Sequence, residues 1–170
     1  MNGLAAFTLF HVAISLVGIF AGLIVAAGLL TSKRLDGWTA IFLVFTVATS
    51  VTGFMFPFHG FKPSYVVGGI SLLILLAAIF ARYSGRMVGP WRWIYVVTAM
   101  IAFYLNVFVL IVQSFMKVPA LKALAPTQTE PPFKLTQLVV LAIFVVLTVV
   151  ASIRFRIEPA RLDQLRSSSV

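Results

Sequence analysis

Five stretches of this chain, near residues 4–30, 38–56, 65–81, 91–116 and 135–153, are apolar over nearly their whole length. An α-helix needs roughly 20 consecutive apolar residues to cross the hydrocarbon core of a bilayer. Backbone in lipid must satisfy its own polar groups, which leaves helices or closed barrels. Runs this long belong to helices, and barrel strands would show an alternating pattern instead. The predicted fold is therefore all-α: a polytopic transmembrane helix bundle of five spans over residues 1–157, with a basic tail over 158–170.

Composition narrows the function classes. Charged residues make up 10% of the chain against 61% hydrophobic, and the mean hydropathy is +1.09. A soluble domain carries roughly 25% charged residues. So few charges cannot cover a water-facing surface, which excludes a soluble enzyme and a disordered chain. Cysteine is absent, which excludes disulfides, thiolate nucleophiles and iron–sulfur clusters.

The net charge is +9. In a chain of this kind a basic excess marks cytoplasmic loops, so no nucleic-acid partner is expected. Five spans place the termini on opposite sides. The first loop, the third loop and the tail then share one side. They hold Lys33 and every arginine: Arg34, Arg82, Arg86, Arg92, Arg154, Arg156, Arg161 and Arg166. The other side holds Lys62, Lys117, Lys122 and Lys134. The positive-inside rule makes the arginine side cytoplasmic, with the N-terminus out and the C-terminus in. Met1-Asn2-Gly3 lacks a basic side chain, and the first apolar run ends on Lys33-Arg34. That run reads as a retained helix rather than a signal peptide. The expected location is the bacterial inner (plasma) membrane, multi-pass, with the lipid bilayer as the first partner.

Asp36 is placed to cap the second helix and Ser64 the third, while Pro57 ends the second and Pro90 opens the fourth. The loop over 117–134 is too apolar for a flexible linker, and residues 120–125 are expected to form a helical turn or two on the surface. That loop either covers the bundle end or acts as a lid over an outward pocket. In the tail, Leu162 and Leu165 would dip into the interface while Arg161 and Arg166 meet anionic lipid.

Lipid supplies no hydrophobic push between helices, so association rests on small residues and buried polar groups. The first span carries His11, Ser15, Gly18, Gly22 and Ala26 at helical spacing, and Gly18 and Gly22 make a GxxxG pair. Thr49, Ser50, Ser71, Gln113 and Gln137, with Asn106 near the middle of the fourth span, gather the polar groups of the other spans toward the outer half. The inner half is dominated by Leu, Ile, Val, Phe and Ala, and no intramembrane Asp, Glu, Lys or Arg is expected, the basic residues being placed at the span ends and in the loops. His11 and His59 are the two histidines, 22 residues before Lys33 and 22 after Gly37. The candidate ligand-binding set at this end is His11, Ser15, Thr49, Ser50, His59, Asn106, Gln113 and Glu130. An intramembrane ionisable residue is a functional candidate by default, although hydrogen-bonded His, Ser and Asn are also ordinary packing devices.

Thr52-Gly53-Phe54-Met55-Phe56-Pro57 and the stretch opening Trp91-Arg92-Trp93-Ile94-Tyr95 resemble a family of small polytopic bacterial inner-membrane proteins of unknown function. So do Tyr104 to Val109, Val118 to Leu121, Ala125 to Thr127 and Glu130 to Phe133. The resemblance implies a compact bundle and transfers no functional residues.

Three functions fit this reading. The first is a small non-enzymatic subunit or accessory factor that acts through helix association, in a homo-oligomer or a larger membrane complex. The second is a binder of an apolar ligand (quinone, lipid or haem) in an outward-facing pocket near His11 and His59. The third is an oligomeric transporter. No cofactor is required by the sequence, although two histidines would suffice as haem ligands and a quinone needs only a few polar groups in an apolar cleft. Two histidines without a carboxylate leave a metal site incomplete, and no catalytic residue is assigned.

Overall fold

The computed structural model describes residues 3–56 and 63–156, and His59, Pro57 and the 158–170 tail lie outside the described residues. The chain is helical, with no strand among the described residues. Five helices are long and apolar enough to cross a membrane, as the sequence predicts. They are α1 (Gly3–Leu30), α2 (Asp36–Phe54), α3 (Pro63–Ile79, whose span-length stretch runs Tyr65–Ser84), α4 (Pro90–Lys117) and α6 (Pro131–Arg154), with the short α5 (Pro119–Leu124) between the last two. α5 is the surface helix expected within the 117–134 loop.

α1 packs against α2, α2 against α3, α3 against α4, α4 against α6, and α6 returns to α1. α4 touches all four other spans and supplies Tyr95, Val96, Ala99, Met100, Ala102 and Phe103 to the core. Phe103 sits at the junction. Its ring meets Phe42 of α2 edge-on at 6.2 Å and Phe144 of α6 at 5.0 Å. On the α1 side it lies over Gly22, where a Cβ would come within 2.6 Å of the ring. Gly18 and Gly22, the GxxxG pair, are buried, so this face of α1 turns inward onto α2 and α4.

The helix ends follow local chemistry in part. Pro90 occupies the first turn of α4, where its missing N–H costs nothing. Gly89 just before it has φ +56°, in the region that favours glycine. Asp36 does not cap α2 as expected. The cap position is Leu35 and Asp36 is the first helical residue, its carboxylate drawn to arginines instead. Ser64 lies inside α3 rather than ahead of it. α3 continues through a π turn, Phe80–Ser84, which carries Arg82 into the bundle.

At the end where α1 finishes, Lys33 and the described arginines gather: Arg34, Arg82, Arg86, Arg92, Arg154 and Arg156. Arg92 reaches the C-terminal carbonyls of α6, donating from Nη1 to Phe155 O and to Ser152 O at 3.3 Å. A cation there complements the partial negative charge of the helix terminus. Ser32 in the α1–α2 turn donates to Arg156 O at 2.9 Å and accepts from Arg156 N at 3.0 Å. These bonds tie the first turn to the end of the last span.

Candidate functional site

Two polar clusters interrupt the apolar interior, one toward each end of the bundle. The first lies toward the start of α1. His11 Nδ1 is 2.8 Å from Thr52 Oγ1 of α2. Thr52 Oγ1 itself donates to Ala48 O at 2.7 Å, one helical turn back. That commits the hydroxyl proton, so His11 donates from Nδ1–H and its Nε2 carries the lone pair. The imidazole stands edge-on to Phe56 at 5.1 Å. One turn deeper, Ser15 donates to Asn106 Oδ1 of α4 at 3.2 Å. Asn106 is buried, and its Nδ2 has no partner within the protein. Thr46 Oγ1 of α2 is also buried without a partner. Both atoms flank Gly18, at 3.3 and 3.4 Å from where its Cβ would stand.

The other sequence candidates distribute around this cluster. Ser50 donates to Ser71 Oγ of α3 at 3.1 Å and lies 3.0 Å from Thr46 O. Thr49 bonds Phe45 O in its own helix at 2.8 Å. Gln113 is exposed. Glu130 organises the loop after α5, accepting from Thr127 Oγ1 at 2.8 Å, Thr127 N at 3.2 Å and Thr129 N at 3.0 Å. Desolvation pushes its carboxyl pKa up, but these hydrogen bonds together outweigh that and hold it below the ordinary value. The structure thus joins His11 to Thr52 and, one turn deeper, Ser15 to Asn106, with Ser50 on the neighbouring α2–α3 seam.

The second cluster corrects the expectation of spans without intramembrane charge, since the third span-length helix runs Tyr65–Ser84 and contains Arg82. Arg82, expected in a loop, is 4% exposed. Its Nη2 donates to Asp36 Oδ1, the same oxygen that takes Arg34 Nε at 2.8 Å. Its guanidinium stands 5.1 Å from the centre of the Tyr95 ring, and Nη1 is 3.8 Å from Met87 Sδ. Tyr95 OH lies 3.5 Å from Thr39 Oγ1. The signal for this cluster was present in the sequence. Arg82 directly follows an apolar stretch, and Asp36 is the acidic residue of the first loop on the same side. Among the described residues, no three His, Asp or Glu side chains are grouped to hold a metal ion.

Comparison with known protein families, curated proteins and solved structures gives no match to this chain.

Proposed function

We propose that this chain is an integral protein of the bacterial inner membrane, N-terminus out and C-terminus in, working as a small non-enzymatic subunit or accessory factor through helix association. The observation that carries the reading is a notch on α3. A side chain at Gly69 would meet nothing within 4 Å. Val66, Ile70, Leu73 and Leu76, exposed apolar side chains, surround it at helical spacing. A small residue on an exposed apolar face lets a second helix come close enough for backbone and side-chain packing, which is how helices associate in lipid. The polar groups nearer the middle are engaged across helices within the chain, as in the Ser15–Asn106 and Ser50–Ser71 contacts. The arginine-rich end supports the orientation through the positive-inside rule.

The test is Gly69→Leu. The new side chain fills open space, so the helix content and thermal midpoint in detergent should be kept. Association should be lost, read as a fall in mass by light scattering or as loss of co-purifying membrane proteins. Unchanged mass and unchanged partners in a folded Gly69→Leu protein would overturn the reading.

A second reading is favoured by one observation, the buried Asn106 Nδ2 and Thr46 Oγ1 without partners in the half of the bundle that also holds His11. A pocket for a quinone, lipid or haem at this end would use His11 as acceptor or ligand. A visible spectrum of the purified protein tests haem, and organic extraction tests a quinone. Equal pigment or quinone content in His11→Ala would dismiss this reading.

A further inference from the structure

At the arginine-rich end, a cleft opens between the α1–α2 turn, α4 and the segment after α6. Lys33, Arg34, Arg82, Thr39, Tyr95 and Phe155 line it, and its volume of about 10 Å³ for a water's centre holds roughly one oxygen-sized group. Three cations surround it. Among the described residues, Asp36 is the acidic side chain at this end, and both Arg34 and Arg82 bond the same oxygen of it. Arg82 is buried, so its excess charge is shielded little by water. Its remaining contacts, the Met87 sulfur at 3.8 Å, aromatic faces and the Tyr95 hydroxyl, are all neutral, so no second carboxylate meets it among the described residues. Arg92, another cation at this end, is engaged with the carbonyls of α6 and does not line the cleft. A guanidinium in this state favours a second anionic oxygen, and phosphate is the anion whose geometry it matches.

We propose that this cleft seats the phosphate of an acidic phospholipid, one oxygen entering toward Arg82 and the others meeting Lys33 and Arg34 on the rim. The commitment to lipid follows from position. The cleft lies where the apolar spans end, and Trp38, exposed beside Phe20 at 6.0 Å, stands at the level where interfacial aromatics meet headgroups. The inference rests on the membrane-embedded reading above but is independent of helix association through α3.

The experiment is native mass spectrometry of the full chain in detergent, titrated with phosphatidylglycerol, with phosphatidylcholine, or with inorganic phosphate followed by thermal unfolding. One phosphatidylglycerol should bind in preference to phosphatidylcholine. Lys33→Gln combined with Arg34→Gln should weaken it by up to about 30-fold, taking about five-fold per basic residue near the surface. Both side chains are on the rim, and Arg82 keeps its bond to Asp36, so folding should be retained. Lys117→Gln with Lys122→Gln, at the opposite end, should leave the preference unchanged. Equal affinity for the two lipids, equal loss in both double variants, or protection by inorganic phosphate matching that of the lipid would each overturn the proposal. Gly69→Leu run beside them separates the two readings, since it should change association and leave lipid preference intact.

Discussion

Adding one methyl group at Gly22 should destabilise the bundle, although the same change in an isolated helix would stabilise it. Ala is favoured over Gly in a helix by about 1 kcal/mol. Against this stands the Phe103 ring, whose Cδ2, Cε2 and Cγ would lie 2.6, 2.9 and 3.1 Å from the new Cβ. Carbon atoms rest about 3.5–4.0 Å apart, so the closest contact is short by about 1 Å. The ring has little freedom to retreat, because it is buried and abuts both Phe42 and Phe144. Relief has to come from separating α1 and α4, and overpacking of this kind costs about 1–3 kcal/mol. With three ring atoms too close, the upper figure applies, and the net loss is about 2 kcal/mol. Gly69→Ala reverses the balance, since nothing stands within 4 Å. It should gain about 0.4–1 kcal/mol. Gly18→Ala falls between them, with Asn106 Nδ2 at 3.3 Å. The measurement is the unfolding midpoint of each variant in mixed detergent micelles, at matched protein concentration. A Gly22→Ala protein as stable as Gly69→Ala would refute the close packing of α1 on the Phe103 ring.

Asp36→Ala strands the buried Arg82, and should cost about 2–3 kcal/mol, less than for a fully buried pair because the Asp36 side chain is 64% exposed. Asp36→Ala combined with Arg82→Met should recover most of that loss, and a double-mutant cycle over these two substitutions that shows simple additivity contradicts the ion-pair assignment. Thr52→Val removes the acceptor for His11 Nδ1–H and should cost about 0.6 kcal/mol, the average for interhelical hydrogen bonds in a membrane. Nitrogen-15 spectra of His11 should show the Nδ1–H tautomer in the parent chain and a mixture in the variant, and identical spectra would count against the assigned donor. Glu130 titrates below its ordinary value, so its contribution is present above the unfolded carboxyl pKa and is lost as pH falls through the lower folded value. Amide exchange at Thr127 and Thr129 should therefore show added protection near neutral pH that disappears in strong acid, and Glu130→Gln should remove that added protection at neutral pH.

The spans were legible in the sequence because the solvent imposes them. A run of apolar residues in lipid has to satisfy its own backbone, and the positions of the runs leave little freedom in where helices start and stop. The observed ends fall within a few residues of the expected ones, even for the short α5. The partner of each polar side chain was less legible. Ser15 and Asn106 were both visible as small or polar positions, but their contact spans 91 residues and depends on how α1 and α4 rotate against each other. Asp36 had the composition and position of a helix cap, and arginines outcompeted the backbone for its carboxylate. Arg82 reads as a loop residue because the apolar run stops before it. The π turn extends the helix and carries its side chain inward.

By itself, the sequence determined that this chain forms five long apolar helices, and that its basic residues collect on alternate loops. Both follow from transfer energies and charge placement that act on each segment separately. Only the tertiary structure decided that Gly22 faces Phe103, that Gly69 faces outward, and that Arg82 finds Asp36 across 46 residues. Those outcomes depend on the rotation of each helix about its own axis. Helices apolar on every side do not encode that rotation strongly, and the close fit of small residues, rings and paired polar groups sets it.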